Sequence, residues 1–209
     1  VLAAMGVPIL TMAGYEADDI LGTIAKRCQA EGEEVSVVSG DRDLLQLADI
    51  HIKIRIPKTS RGTTEIHDYY PEDVKREYQV TPTEFVDVKA LMGDTSDNIP
   101  GVPSIGEKTA TNLIVAYGSI ENAYAHLDEV KPPRAKKALE EHYDLAVMSK
   151  ELAEICITCP IPFEYEEAKI ENLYTPEAYQ YMKRLEFKSI LARFDVQDMG
   201  GNSVEEHFW

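Results

Sequence analysis

Basic residues are scarce in this 209-residue chain. Lys and Arg number 21 against 37 Asp and Glu, a formal net charge of −16. Taken alone, that balance speaks against a nucleic-acid partner, because phosphate binders are usually basic. It suits a protein that gathers acids to hold cations. Cysteine is rare as well: three are too few for a disulfide scaffold and fit a reducing cytoplasm. Two of them form "CITC", Cys156 and Cys159, but no second pair is there to complete a zinc site. The flanking "ELAEICITCPIP" reads as a strand with structural cysteines. No apolar run approaches the roughly 18 residues of a membrane span. The opening "VLAAMGVPIL" lacks the basic lead of a signal peptide. It also lacks an initiator Met, so the chain is expected to be a fragment. None of the histidines, His51, His67, His126, His142 and His207, sits in a setting that suggests acid–base work.

What remains is an ordinary globular composition, 44% hydrophobic and 28% charged, long enough for one large domain or two small ones. "VPILTM" reads as a strand ending near Met12. Ala17, Ile20, Leu21, Ile24, Ala25 and Cys28 then follow helical spacing and predict one apolar stripe, with Gly32 as the stop. "EVSVVS" reads as the next strand, which makes a βαβ unit with parallel strands. "DIHIKIRIP" and "TTEIH" read as a strand pair around the turn "KTSRG". From Pro71 onward the pattern is helical. Phe85, Val88 and Met92 share one face, Ala110, Leu113, Ile114 and Tyr117 a second, and Ala178, Tyr181, Met182 and Leu185 a third. The expected fold class is α/β, a parallel-sheet half over residues 1–70 followed by a helical half over 71–195. The polar tail 196–209, "DMGGNSVEEHFW" included, reads as a linker toward a further domain.

Against this background the acids are oddly crowded. "GYEADDILG" carries Glu16, Asp18 and Asp19, "SGDRDLL" carries Asp41 and Asp43, and "GDTSDNIPG" carries Asp94 and Asp97. The first two groups follow the carboxyl ends of the two predicted parallel strands, so they should meet on one sheet edge, where open α/β sheets place their sites. One or two acids in a first helical turn are explained by its dipole, at roughly 0.3–1 kcal/mol each. Five at one edge are not, since a like-charged pair at 4 Å costs about 4 kcal/mol at an effective dielectric near 20. All-oxygen ligation without His or Cys points to Mg²⁺ or Mn²⁺. Two such ions suit phosphodiester chemistry, which then needs no side-chain nucleophile.

The third acidic segment runs on into "IPGVPSIGEKTATNLI". It nearly imitates the phosphate loop G-x-x-x-x-G-K-[ST], but Glu107 separates Gly106 from Lys108 and Thr109, and no strand precedes it, so an ATP site lacks its context. Gly101 and Gly106 instead permit a tight turn between two helices. The second helix would point free N–H groups outward, with Lys108 and Thr109 adding a charge and a hydroxyl. Such contacts hold a nucleic-acid backbone without reading sequence. The competing reading is a plain helical corner. A further basic cluster, Lys131, Arg134, Lys136 and Lys137, is either a second phosphate contact or a solvated helix start.

"GYEADD", "SGDRDLLQL" and "LMGDTSDNIPGVPSIGEKTA" together resemble the 5′-nuclease domain found in bacterial DNA polymerase I, a relative of the flap endonucleases. The resemblance extends to "RLEFKSIL" and covers roughly residues 1–195. It implies a PIN-like 5′-nuclease core and a helix–three-turn–helix. Glu16, Asp18, Asp19, Asp41, Asp43, Asp94 and Asp97 would hold two Mg²⁺ ions, with Glu16, Asp18, Asp41, Asp43 and Asp94 carrying the catalysis. Gly101, Val102, Ile105, Gly106, Lys108 and Thr109 would hold duplex DNA, with K⁺ at the turn. It further implies 5′ flaps, nicks and RNA primer–DNA junctions as substrates, polymerase domains in the same parent chain, a bacterial cytoplasmic setting at the nucleoid, and no membrane. In the family the domain begins well upstream, with a first strand, a further metal-binding Asp and a basic arch. The core is therefore expected to be incomplete. Two rivals follow: a duplex-binding module that cuts nothing, and a Mg²⁺-dependent phosphatase suggested by Asp41-x-Asp43. Ser39, Gly40 and Leu44 fit the phosphatase pattern poorly.

Overall fold

The computed structural model describes residues 1–194; the predicted linker lies outside them. Two compact units are present, one spanning 14–160 and one made of 1–13 with the segment from 161 onward.

The larger unit opens with α1 (Ala17–Ala30). Ile20, Gly22, Thr23 and Ala25 are its buried residues, while Leu21 stays 36% exposed. The apolar stripe is thus rotated from the expected one. Gly22 explains the rotation, since a Cβ there would lie 2.9 Å from Ile155 Cγ2. Thr23 follows the same face, with its Oγ1 donating to the Cys156 carbonyl at 3.2 Å and accepting the Cys159 N–H at 3.0 Å. Cys156 and Cys159 lie in irregular chain rather than in the expected strand, Cys28 lies in α1, and all three are free.

The sheet has three strands, β1 (Val35–Val38), β2 (Ile52–Ser60) and β3 (Thr63–Tyr69), in that order. β1 and β2 are parallel, with Val35 opposite Ile52. β2 and β3 are antiparallel, with Ser60 opposite Thr63. Arg61 and Gly62 have φ of 51° and 81°, and positive φ at both central residues is what a two-residue hairpin matched to strand twist requires. Ile52, Ile54 and Ile56 point inward at period two.

"VPILTM" forms no strand. Ile9 is 63% exposed, and no other described strand pairs with this run. An apolar run becomes a strand only where a ladder and a buried face receive it. The parallel pair is joined instead through residues 39–51, which include a 3₁₀ turn at Asp43–Leu47; a parallel connection needs a crossover of about this length.

Helices α2 (Pro71–Tyr78), α3 (Pro82–Met92), α4 (Glu107–Tyr117), α5 (Ile120–Ala125) and α6 (Pro133–Ala153) follow. Thr81 starts α3 with a capping box: its N–H donates to Glu84 at 2.7 Å and its hydroxyl accepts the Glu84 N–H at 3.3 Å. α3 is buried on nearly every face, from Phe85 through Leu91. It packs on α4, α6 and the 3₁₀ turn. Leu44, Leu45, Ile54, Leu91, Ile114 and Leu139 form the core around it. In the smaller unit, α7 (Pro176–Arg184) and α8 (Lys188–Leu191) bury Ala178, Met182 and Phe194, and Thr175 donates to the Ala4 carbonyl at 2.6 Å. Among the described residues no helix is long and apolar enough to cross a membrane.

Candidate metal centre and nucleic-acid interface

Three segments of the larger unit bring the acids together. The first turn of α1 supplies Glu16, Asp18 and Asp19. Each Asp19 oxygen accepts one backbone N–H: Oδ2 that of Glu16 at 3.1 Å and Oδ1 that of Cys156 at 2.8 Å. "SGDRD" runs off the carboxyl end of β1. There the Asp41 N–H donates to Ser39 Oγ at 3.1 Å, and Asp41 Oδ1 accepts the Asp43 N–H at 2.9 Å. Buried Leu44, Leu45 and Leu47 fix the turn that follows. The third segment, 94–99, is closed by a two-bond bridge between Asp94 and Ile99, at 2.9 and 2.8 Å.

Asp43, Asp94 and Asp97 offer carboxylate oxygens that all lie within 4.8 Å of one another. Lys89 reaches all three. Its Nζ is 2.9 Å from Asp97 and 3.2 Å from Asp94, and it also donates to Asp43. Its side chain is only 3% exposed. Burial opposes its charge, yet the Asp43, Asp97 and Asp94 carboxylates outweigh burial and raise its pKa. The sequence reading missed this residue. The available signal was a lone cation inside "FVDVKALM", apolar but for Asp87 and Lys89, a helix whose charges must be paired if buried.

Asp18 joins the groups. Burial first, then Asp41, Asp43, Glu16 and Asp19, raise its pKa to about 6. Asp43 is raised by burial, although Lys89 pulls the other way. Asp94 is held at about 2, first by the Ser96 hydroxyl, against a smaller contrary effect of burial, and then by the Ser96 N–H and Lys89. Glu16 and Asp41 are exposed, and Asp18, Asp19 and Asp43 are half-buried. The acids thus share one neighbourhood although the strand expected beneath "GYEADD" is absent. An all-carboxylate donor set with no His or Cys matches hard divalent cations.

A cleft of about 540 Å³ adjoins the cluster, and Asp43, Lys89, Asp94, Tyr78, Glu107 and Thr111 are among the residues that line it. Past it the chain turns sharply. A Cβ on Gly101 would stand 2.5 Å from the Gly93 nitrogen, and φ at Gly101 is +65°, so only glycine fits this backbone crossing. The Gly101 N–H donates to the buried Ser149 hydroxyl at 3.1 Å. Val102 and Ile105 are buried in the core and anchor the turn, while Pro103, Ser104, Gly106 and Lys108 are exposed and Thr109 is half-buried. Gly106 begins α4 in extended backbone and offers no side-chain cap. Helix α3 precedes the turn, rather than the strand a nucleotide-binding loop requires.

Fold and site define a class: a mixed α/β domain with a carboxylate cluster ahead of a helical half that carries a sharp glycine turn. Two family models match consecutive parts of the chain. Residues 1–79 match the N-terminal resolvase-like domain of 5′-3′ exonuclease, and residues 80–175 match its C-terminal SAM fold. The chain belongs to the 5′-3′ exonuclease family found in DNA polymerase I. DNA polymerase I of Bacillus caldotenax is 43% identical over 194 residues, which cover 93% of this chain and 22% of that protein. The chain therefore spans about a fifth of the length of such a relative. The 5′-exonuclease of T5 with bound zinc superposes with a TM-score of 0.61 at 27% identity, covering 71% of this chain and 53% of that one. The bacteriophage T5 flap endonuclease, complexed with DNA and metal ions, gives a TM-score of 0.60 at 26% identity and covers 70% and 52%.

Proposed function

We propose that this chain is the metal-binding and duplex-gripping part of a polymerase I-type 5′ nuclease, and that it hydrolyses phosphodiesters at 5′ ends. The carrying observation is the convergence of Asp43, Asp94 and Asp97 within 4.8 Å, with Asp18 crowded in turn by Asp41, Asp43, Glu16 and Asp19. Glu16, Asp18, Asp41, Asp43 and Asp94 are the proposed catalytic ligands, with Asp19 and Asp97 completing the set for two Mg²⁺ or Mn²⁺ ions. Ions held by these carboxylates would supply Lewis-acid chemistry, the activation of a water and the stabilisation of charge on phosphate oxygens.

The chain's own residues do the rest. Asp19, held by the Glu16 and Cys156 N–H groups, orients the first turn of α1. Asp41 and Ser39 shape the second segment, and the Asp94–Ile99 bridge shapes the third. Lys89 keeps three carboxylates together before any cation arrives. Gly101, Val102, Ile105, Gly106, Lys108 and Thr109 present the turn and the α4 N-terminus to a duplex backbone, with K⁺ as a further ligand of the turn. The proposed substrates are duplexes with a 5′ flap or nick and RNA primer–DNA junctions. The proposed setting is the bacterial nucleoid, with polymerase domains on the same parent chain. Homology to a DNA polymerase I and to a T5 enzyme complexed with DNA supports this assignment.

A second reading is a duplex-binding module that cuts nothing. What favours it is Lys89, whose ammonium already pairs with three of the acids and offsets part of their charge without a metal. Titrating a labelled 5′-flap duplex with the chain in chelator and in Mg²⁺ separates the two. The nuclease reading expects binding in both and shortened strands only with Mg²⁺. Intact strands at saturating protein in Mg²⁺ would leave the module reading standing.

A further inference from the structure

In a chain dominated by acid, four cations crowd into "KPPRAKK": Lys131, Arg134, Lys136 and Lys137. They flank the start of α6, where Pro132 is the N-cap and Pro133 the first helical residue. Ala135, Ala138 and Leu139 bury the inner face, so the cations are forced outward. Lys131, Arg134 and Lys137 are exposed. Lys136 is occupied by Asp128 at 2.6 Å, whereas Lys137 has only a loose partner, Glu141 at 3.6 Å.

The fold then does something the sequence spacing hides. Arg134 Nη2 donates to Ser104 Oγ at 3.1 Å, across 30 residues. Ser104 is the exposed tip of the turn between Gly101 and Gly106, with φ of +73°. The basic start of α6 therefore rests on the same turn whose other side leads to Lys108. A hydroxyl is a weak occupant for a guanidinium, whose rigid fork matches two oxygens of a phosphate.

We propose that Lys131, Arg134 and Lys137 form, with Lys108, one phosphate-binding strip across the turn, and that its partner is the backbone of duplex nucleic acid. The proposal rests on the duplex-binding role of the turn and adds a second, separate set of contacts to it. The strip carries no large apolar side chain that would insert into a bilayer. Its cations sit on rigid helix starts and suit phosphates repeated along a strand. Arg134 exchanges Ser104 for a phosphate on binding, and the Ser104 hydroxyl, which only accepts from Arg134, keeps its O–H for a neighbouring oxygen.

The test is equilibrium binding of the whole chain to a labelled 5′-flap duplex in chelator over a salt series, read by fluorescence anisotropy. Each phosphate neutralised contributes about −0.9 to the slope of log affinity against log salt. The combined variant Lys131→Gln, Arg134→Gln, Lys137→Gln is expected to flatten the slope by roughly 2–3 and to bind at least about tenfold more weakly near 0.1 M salt. Arg134→Lys keeps the charge but loses the fork, so it should weaken binding while leaving the slope nearly unchanged. The control variant Lys53→Gln, Lys58→Gln, Arg61→Gln removes the same charge from the β2–β3 hairpin and should keep the original slope. Equal flattening in both triple variants would overturn the strip, because bulk charge would then explain the effect. An unchanged slope in the α6 variant, with the parent chain binding, would overturn the strip alone. Failure of the parent chain to bind would overturn the strip and the duplex-binding proposal together.

Discussion

Lys89→Met is the most informative single change. It removes one charge while keeping an unbranched stem of similar volume, so the packing of α3 is preserved. What it leaves behind is three carboxylates, Asp43, Asp94 and Asp97, whose side chains are 21%, 26% and 48% exposed. Removing one partner of a fully buried pair costs about 3–5 kcal/mol, and an exposed pair is worth about 0.2–1 kcal/mol. These acids are partly wet, so the expected loss is roughly 2–3 kcal/mol in metal-free buffer. A divalent cation at the vacated centre replaces the missing charge. At a concentration near 100 times its dissociation constant it returns about 2.7 kcal/mol. Urea unfolding followed by circular dichroism, in chelator and in Mg²⁺, reads both effects. The variant should be markedly weaker than the parent in chelator, and Mg²⁺ should raise it well above its own stability in chelator. A variant within about 0.5 kcal/mol of the parent in chelator, a typical change for a surface site, would refute the role given to Lys89. A variant no more stable in Mg²⁺ than in chelator would refute the entry of metal at this place.

Gly101→Ala should be among the most damaging small substitutions. It forces a positive φ on alanine and drives a methyl into the Gly93 backbone, and strain plus overpacking should cost about 3 kcal/mol or more by thermal unfolding. Ser149→Ala orphans the Gly101 N–H and should cost about 1–3 kcal/mol, a loss that Ser149→Thr would restore only if its methyl fits. Asp18 keeps its proton to about pH 6 in the fold but only to about 4 when unfolded. The metal-free fold therefore binds the extra proton between these values, and Asp18 makes stability fall as pH rises through that window. Divalent affinity should move the opposite way and climb through about pH 6 as the carboxylate loses its proton. Calorimetric Mn²⁺ titrations that give one affinity on both sides of that pH would contradict the assignment.

The acids were legible because their crowding is local in sequence and costly without a cation. Their convergence was also anticipated, though for a partly mistaken reason. "VPILTM" forms no strand here, and the three segments meet through the first turn of α1, the end of β1 and the bridged loop at Asp94–Ile99. The hairpin was legible because Ile52, Ile54 and Ile56 keep period two and end at Arg61-Gly62. The buried side of α1 was not. Periodicity weights Leu21, whereas the structure buries Gly22 and Thr23, because a missing side chain and a hydroxyl fit closely against Ile155 and the Cys156–Cys159 loop. Lys89 escaped notice because a lysine among apolar residues usually carries its charge outward to water. Its partners, Asp43 above all, become neighbours only through tertiary packing. The contact between Arg134 and Ser104 is hidden in the same way.

The role proposed for these acids is to hold metal for phosphodiester cleavage. The most direct measurement is Mg²⁺-dependent cutting of a labelled 5′-flap duplex by this chain, alongside Asp41→Ala. Asp41 is exposed and lies off the folded core, so the variant should stay folded and still bind duplex. Shortened product is expected from the parent chain and none from Asp41→Ala at equal duplex binding. Near-normal turnover by Asp41→Ala, or no cutting by a parent chain that binds duplex and metal, would contradict it.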